Sequence, residues 1–546
     1  MKNKRFAGLV LALTLAGCGG GGSPPGLSAS SGQVANTSGS AGMTRFAAAR
    51  AADQVSFGAT PALTNALAQQ GLDNWVTAQM ALPVSQMNPP NYVRVYDNNN
   101  QAATSTAYDW PINEFISQAL VAPDQLRLRV SWALIQYIPV NAKITPYGMV
   151  QYFNLLQRHA FGNYGDFLRE LTIHPSMGFF LDNAQNRPTS DLCQSCAPNE
   201  NYARELMQLF TLGVVQLNTD GTIKRNSQGR ALETYTQEDV EELAGALTGW
   251  RFSTVGQPLP QSDWFNAANP MVPEEWEPLH DRNPKMIMGN SFPGGRSAPQ
   301  ELDAVVAMLM AHPNIAPFVS LRLIQHLVTS NPTPAYVSRV AAVFRNNGSG
   351  VAGDMKAVVR AILADTEARR GDVPGTDTTR FGKFREPILW YTGLLRGLGC
   401  TKNLLSPDGP WVVAPDQQFP FNPPNVFSYY MPTDRAPGSN LLAPEQKIVN
   451  AKELTDRMGR VGYMFSRGAA GPAGCDADSL GQAYARSPKA LIDEISLRWF
   501  RGAMPPTLRT NLQTLAVGQS LGSSVNDAAM VLTQYALTTP FYGVMK

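Results

Sequence analysis

The stretch PNENYARELMQLFTLGV, residues 198–214, decides how the rest of the chain is read. After Asn199 the apolar positions Tyr202, Ala203, Leu206, Met207, Leu209, Phe210 and Val214 recur at three- and four-residue spacing, one broad helical stripe facing a core. Glu200, Arg204 and Gln208 make one polar row on that helix, and Asn201 with Glu205 a second. Asn199 is a residue type that caps free helix amides, and a carboxylate at Glu200 is favoured by the positive end of the helix dipole. Capping plus a Glu200–Arg204 pair contributes about 1–2 kcal/mol and explains much of the pattern. It does not explain Asn201 and Glu205. Those two residues turn a capped helix into a candidate site.

Helical periodicity extends outward in both directions. It covers 61–70, 73–80, 124–137, 149–159 and 165–173 on one side. On the other it covers 299–311, 314–329, 334–346, 353–364, 384–398, 445–466, 488–499 and 524–537. Thr236-Gln237-Glu238-Asp239 has the form of a capping box opening a further helix through Val240, Leu243, Ala244 and Leu247. Strand signals are sparse: weak alternation over 222–234 suits one hairpin, and 285–290 another short strand. No fixed period repeats, which excludes a solenoid. The expected fold is mainly α, a multi-helical single large body spanning 45–546 with one or two short β-hairpins and a sub-boundary near 370–380. Long irregular loops fall at 184–199, 253–297 and 400–444, and loops of that length in a compact body are often functional. The Asn- and Pro-rich segment 84–107 reads as a surface excursion.

Apolar residues make up 44% of the 546, enough for a sizeable core. Lysine plus arginine number 44 against 42 acidic residues, a net charge of +2 that gives no electrostatic footprint for nucleic acid. The N-terminus is export-like: Lys2, Lys4 and Arg5 precede a short apolar run, Phe6 to Ala16, too short for a stable span. Leu15-Ala16-Gly17-Cys18 resembles a bacterial lipobox, which implies a signal peptide over 1–17 and acyl chains on Cys18. At roughly 0.8 kcal/mol per buried methylene, several chains anchor a protein firmly. Gly19, where an Asp would signal inner-membrane retention, favours the outer membrane; a flexible Gly/Ser/Ala tether then runs over 18–44. Cys193, Cys196, Cys400 and Cys475 remain, an even number in an exported chain, with three pairings open. A local Cys193–Cys196 bridge with a long-range Cys400–Cys475 bridge is preferred over a four-thiolate zinc site.

The 198–214 stretch, together with LTIHPSMGFFLDN (171–183), YTQEDVEELAGALTGW (235–250), HDRNPKMIMG (280–289) and FNPPNVFSYY (421–430), resembles the bacterial family catalogued as domain of unknown function 1800. The resemblance covers nearly all of the chain beyond Phe46. It implies an exported bacterial protein, often encoded beside a sulfatase-like family, domain of unknown function 1501; it implies no particular reaction. The Cys193–Cys196 pair and the length of the 184–199 loop depart from the family's pattern.

Across these motifs Asp182, Asn183, Asn199, Glu200, Asn201, Arg204, Glu205, His280, Asp281 and Lys285 suit acid/base chemistry, with carboxylate and imidazole exchanging protons while amides and cations orient a substrate. Glu200, Glu205 and His280 are the expected catalytic groups. Asn199, Asn201, Arg204, Asp281 and Lys285 are the expected positioning groups, on an extracellular polymer or envelope glycan. Two other readings stay open. One is a non-catalytic scaffold for a sulfatase-like partner. The other is a polysaccharide-binding protein stabilised by calcium on the oxygen ligands Asp182, Asn183, Asn199, Glu200 and Asn201. His174 and His312 precede prolines at helix boundaries and read as caps. No HExxH is present. Gly518-Gln519-Ser520-Leu521-Gly522 mimics a nucleophile elbow but has no downstream histidine, and no phosphate-binding glycine loop opens a βα unit. The aromatic loop 420–432 reads either as a stacking platform or, more simply, as core.

Overall fold

In a computed structural model the described residues are 42–88, 105–141, 146–190, 193–254, 269–274, 279–376, 379–403, 414–465, 475–476, 478–518 and 521–546. The expected signal peptide, Cys18, the tether up to residue 41, most of the 84–107 segment, and Gln519 and Ser520 lie outside them. So do 255–268, 275–278 and 404–413, parts of two expected long loops. Among the described residues the fold is mainly α, with 21 α-helices and three two-stranded antiparallel ladders. None of those helices is by itself long and apolar enough to cross a membrane.

Two helices sit at the centre. Gln125–Tyr137 and Pro387–Gly397 are buried along their whole length, so their polar side chains lie inside together with their apolar stripes. The polar side chains this takes inside are bonded to backbone carbonyls. Arg129 donates to His326 O at 2.7 Å and Arg127 to Gln157 O at 3.1 Å, while Arg396 donates to Gly58, Ala119 and Leu120 oxygens. Trp132 Nε1 donates to Glu386 Oε1 at 2.9 Å, joining the two central helices. The periodic windows become helices with ends shifted by a few residues. Ser105–Val121, Asp478–Arg486 and Pro506–Gly518 are further helices that periodicity does not mark. The first carries Pro111 within it, and the last buries only Leu508 and Leu512.

The first described helix, Arg45–Val55, is locked to the C-terminal residues. Asp53, on the helix Arg45–Val55, is buried between Arg385 (2.5 Å) and Arg501 (3.2 Å). Burial pushes its carboxyl up, but the two guanidiniums outweigh that and hold it below the usual carboxylate range. Arg50 on the same helix donates to Lys546 O at 2.8 Å and pairs with Asp372. Lys383–Phe384 pairs antiparallel with Val544–Met545.

The decisive stretch differs from expectation in one respect. Only Asn201–Glu205 is α-helical, and Leu206–Thr211 continues as a π-helix. Leu212 N bonds to Met207 O at 2.9 Å, five residues back, and Thr211 Oγ1 donates to Leu206 O at 2.5 Å. The extra residue per turn keeps Leu206, Met207 and Phe210 in the core while leaving Gln208 and Leu209 half-buried. Beyond it the chain makes a small meander, with Val215 opposite Glu233, Leu217 opposite Ile223 and Arg225 opposite Ala231. Gly221 and Gly229, both at positive φ, make the turns, so the expected hairpin is present with an added leading segment. Asn314, fully buried, holds this meander to the core by donating to Leu212 and Val215 oxygens and accepting from Leu217 N.

Candidate functional site

The chain leaving the short helix Pro175–Phe180 reverses through Asp182 and Gln185, both in the left-handed region. This turn clasps the head of the 198–214 stretch. Asn186 Oδ1 accepts Asn199 N at 2.7 Å while its Nδ2 donates to Asn199 O at 3.2 Å, and Asn201 Nδ2 donates to Asp182 Oδ2 at 2.9 Å. Asn199 Oδ1 takes Asn201 N at 2.9 Å, so it caps as expected. The excursion between turn and helix is closed by the Cys193–Cys196 disulfide, and Cys400 is joined to Cys475, the preferred pairing in both cases. Asn183 is 1% exposed, with neither side-chain atom hydrogen-bonded. The oxygens considered for calcium mostly receive N–H donors: Asp182 from Asn201, Asn199 from its neighbour, Glu200 from Arg204. Among the described residues no group of three or more His, Cys, Asp or Glu is arranged to hold a metal ion.

Glu200 accepts from Arg204, four residues on, and from Gln237 Nε2 at 2.9 Å; Arg204 also reaches Gln237 Oε1 at 3.0 Å. Gln237 is the first residue of the helix Gln237–Ala246, which opens with the expected capping box of Thr236 and Asp239. Glu200 and Arg204 keep about a third of their side-chain surface exposed, so this network lies at the surface. Glu205 differs. Its Oε2 is buried without a hydrogen-bond partner, as is the nearby Tyr235 hydroxyl. Burial raises the Glu205 carboxyl, with Arg204 opposing too weakly to restore it. Tyr235 is pushed up to about 12, by burial first and then by the Glu205 charge. Tyr235 opens the motif YTQEDVEELAGALTGW but is not among the expected site residues; its place just before the capping box is the signal that could have found it.

His280 is buried against the other end of the same helix. Its Nδ1 donates to Thr248 O at 2.9 Å, which leaves Nε2 as the acceptor nitrogen, 3.7 Å from Glu301 Oε2. Neither of those two atoms has a hydrogen bond. Burial, helped by Lys285 and Arg282, holds the imidazole below its ordinary range and therefore neutral. Lys285 Nζ donates to Asp281 O (2.7 Å), Asn283 O (3.0 Å) and Glu301 Oε1 (3.2 Å), which uses all three of its protons. Asp281 holds Asn283 through Oδ1 and lies 3.7 Å from Lys285 through Oδ2. Glu301, which sequence reasoning missed, is fully buried, and desolvation pushes its carboxyl up to about 7 despite Lys285. The site admits no bulk at Gly249: a Cβ there would fall 2.6 Å from His280 Cβ.

The candidate residues therefore form two clusters rather than one. Glu200, Arg204, Glu205 and Tyr235 gather at the start of the helix Gln237–Ala246, and His280, Asp281, Lys285 and Glu301 gather past its end. Ten residues at about 1.5 Å rise put the two ends about 15 Å apart. The strand Lys285–Ile287 runs back along the helix, so that Met288 N reaches Asp239 Oδ1 at 2.6 Å. The hydrogen bonds and ion pairs of Glu200 go to Arg204 and Gln237, and those of His280 go to Thr248 and Glu301. His174 and His312 cap as expected, each accepting a backbone N–H at its Nδ1.

No curated protein and no solved structure matches the chain. A family model does, over residues 50–544, and the chain belongs to that family, described as protein of unknown function DUF1800.

Proposed function

We propose that this protein is an acid/base hydrolase of an extracellular polymer or envelope glycan, held at the cell envelope by acyl chains on Cys18. The observation that carries the reading is the Glu205 carboxyl. It is raised by burial, has one oxygen without a partner beside the Tyr235 hydroxyl, and is flanked by the ion-paired Glu200. A raised carboxyl keeps its proton at higher pH and is suited to donate it to a leaving group. Glu200, held by Arg204 and Gln237, is the base that activates water. Asn199 and Asn201, both exposed, and Arg204 position the substrate. An open surface setting fits a chain-like substrate better than a small metabolite, which would need an enclosed pocket. His280 acts as a positioning residue that holds one end of the 280–285 turn through Thr248, while Lys285 closes the turn on the Asp281 and Asn283 oxygens. The test is bond cleavage in isolated envelope polysaccharide, read as new reducing ends, by wild type, Glu205→Gln and Tyr235→Phe at matched thermal stability.

A second reading has its own observation. The Glu200 carboxylate is already taken by Arg204 and Gln237, which is also what a purely structural cap requires. On that reading the chain is a scaffold for a sulfatase-like partner. The double variant Glu200→Gln/Glu205→Gln would then keep partner binding, and no polymer would be cleaved by any form.

A further inference from the structure

The tail of the 198–214 stretch and the loop after Phe421 enclose a cavity of about 370 Å³, within the range of small-ligand sites. Its walls include Leu209, Leu212, Phe318 and Val426. Val214, Ile223, Phe427 and Met431 also line it and are exposed, so apolar side chains ring its mouth. Such a rim is a cost in water unless something covers it. No aspartate or glutamate lines the cavity.

One cation does. Arg322, half-buried on the helix Ile315–Leu327, lies over the Phe318 ring and donates through Nη1 to Gln325 Oε1 at 2.8 Å. Among the described residues no carboxylate lies within ion-pair distance of it. Other interior cations of this protein are matched: Arg385 and Arg501 by Asp53, Lys383 by Glu445 and Lys285 by Glu301, while Arg129 and Arg396 donate to backbone carbonyls instead. Burial lowers Arg322 to about 10, so it stays charged at neutral pH. Beside it His326, stacked on Tyr137, is held neutral by burial and by Lys383, Arg129 and Arg322. Its ring makes no hydrogen bond among the described residues.

We infer that this cavity binds a single-chain acyl carboxylate, its head on Arg322 and its chain along the apolar walls. The guanidinium keeps Nε and Nη2 free of hydrogen bonds, a planar pair matched to a carboxylate. A neutral His326 adds a donor without a second positive charge, which favours a monoanion over a phosphate dianion. An uncharged hydrocarbon would leave Arg322 desolvated and unpaired, and a cation would be repelled. Glu205 and Tyr235 do not line the cavity, so this site is separate from the proposed hydrolytic one and stands or falls without it.

The experiment is calorimetric titration of the full-length chain carrying Cys18→Ser, which removes the site of acylation. The probes are dodecanoate, dodecanol and vesicles of anionic phospholipid. The inference expects one dodecanoate per chain, bound at least tenfold more tightly than dodecanol. Arg322→Gln should weaken dodecanoate at least tenfold and leave dodecanol unchanged, and Val426→Trp should abolish both while the melting temperature holds. Equal binding of dodecanoate and dodecanol by the wild type would overturn it, whether or not the variants fold. So would an Arg322→Gln protein with full dodecanoate affinity, or binding only to vesicles.

Discussion

Glu205 and Glu301 are both carboxyls raised by burial, yet their surroundings assign them different work. Glu205 has a buried oxygen without a partner, near the equally unpartnered Tyr235 hydroxyl and behind the partly exposed Glu200–Arg204 pair, whereas Glu301 is sealed between Lys285 and His280. If Glu205 is a general acid, activity should fall as pH rises through its raised value, and Glu205→Gln should cost about 10²–10⁴-fold in turnover with melting unchanged. Glu301 should instead be visible in stability. The folded state holds its proton between about 4.5 and about 7, where the unfolded chain has released it, so folding stability falls across that window as pH rises. The loss is on the order of 3 kcal/mol. Buried histidines such as His280 and His326 change stability with pH in the opposite sense, so the test is a comparison: between pH 5 and pH 8 wild type should lose about this much more stability to denaturant than Glu301→Gln, and equal changes in the two would remove the group from the account. The sequence exposed Asn201 and Glu205 because capping left them over. It hid Glu301 and Arg322, because a charged residue in a helix pattern reads as solvated surface until the packing around it is known.

At the scale of elements, periodicity located most helices because their stripes face one core. It failed for Ser105–Val121, where Pro111 and a neighbouring Asn/Pro run read as loop, and it could not see the π-turn at Leu206–Thr211, which leaves the apolar stripe intact. The capping box at Thr236 was legible and does more than cap. Asp239 Oδ2 closes the box and Oδ1 takes Met288 N, so one side chain fixes both the helix start and the strand beside it. Asp239→Ala should therefore cost about 1–3 kcal/mol, more than a cap alone, measured by chemical denaturation. The two disulfides should separate clearly in the same assay. Cys400–Cys475 closes a span of 75 residues, and replacing both by serine should cost about 2–4 kcal/mol. Cys193–Cys196, three residues apart, should change global stability by much less.

For the molecule as a whole, stability and function rest on different parts of the chain. The Asp53–Arg385–Arg501 cluster ties the first described helix to segments more than 300 residues away, a junction no local pattern announces. Asp53→Ala leaves two buried guanidiniums without a counter-charge and should cost about 3–5 kcal/mol, seen as a large fall in melting temperature. Asp53→Glu should recover part of that loss. Family membership was legible because several motifs occur in one order, whereas the division of the candidate residues into two clusters depends on which end of the helix Gln237–Ala246 each one meets. One measurement addresses the proposed activity most directly. The full-length protein, its Glu205→Gln variant and its Tyr235→Phe variant are each incubated with isolated envelope polysaccharide, and new reducing ends are counted against pH. The account predicts release by wild type that declines as pH rises, and a loss of at least a hundredfold in Glu205→Gln with an unchanged melting temperature. Equal release by wild type and Glu205→Gln, or no release by the wild type at any pH, would contradict it.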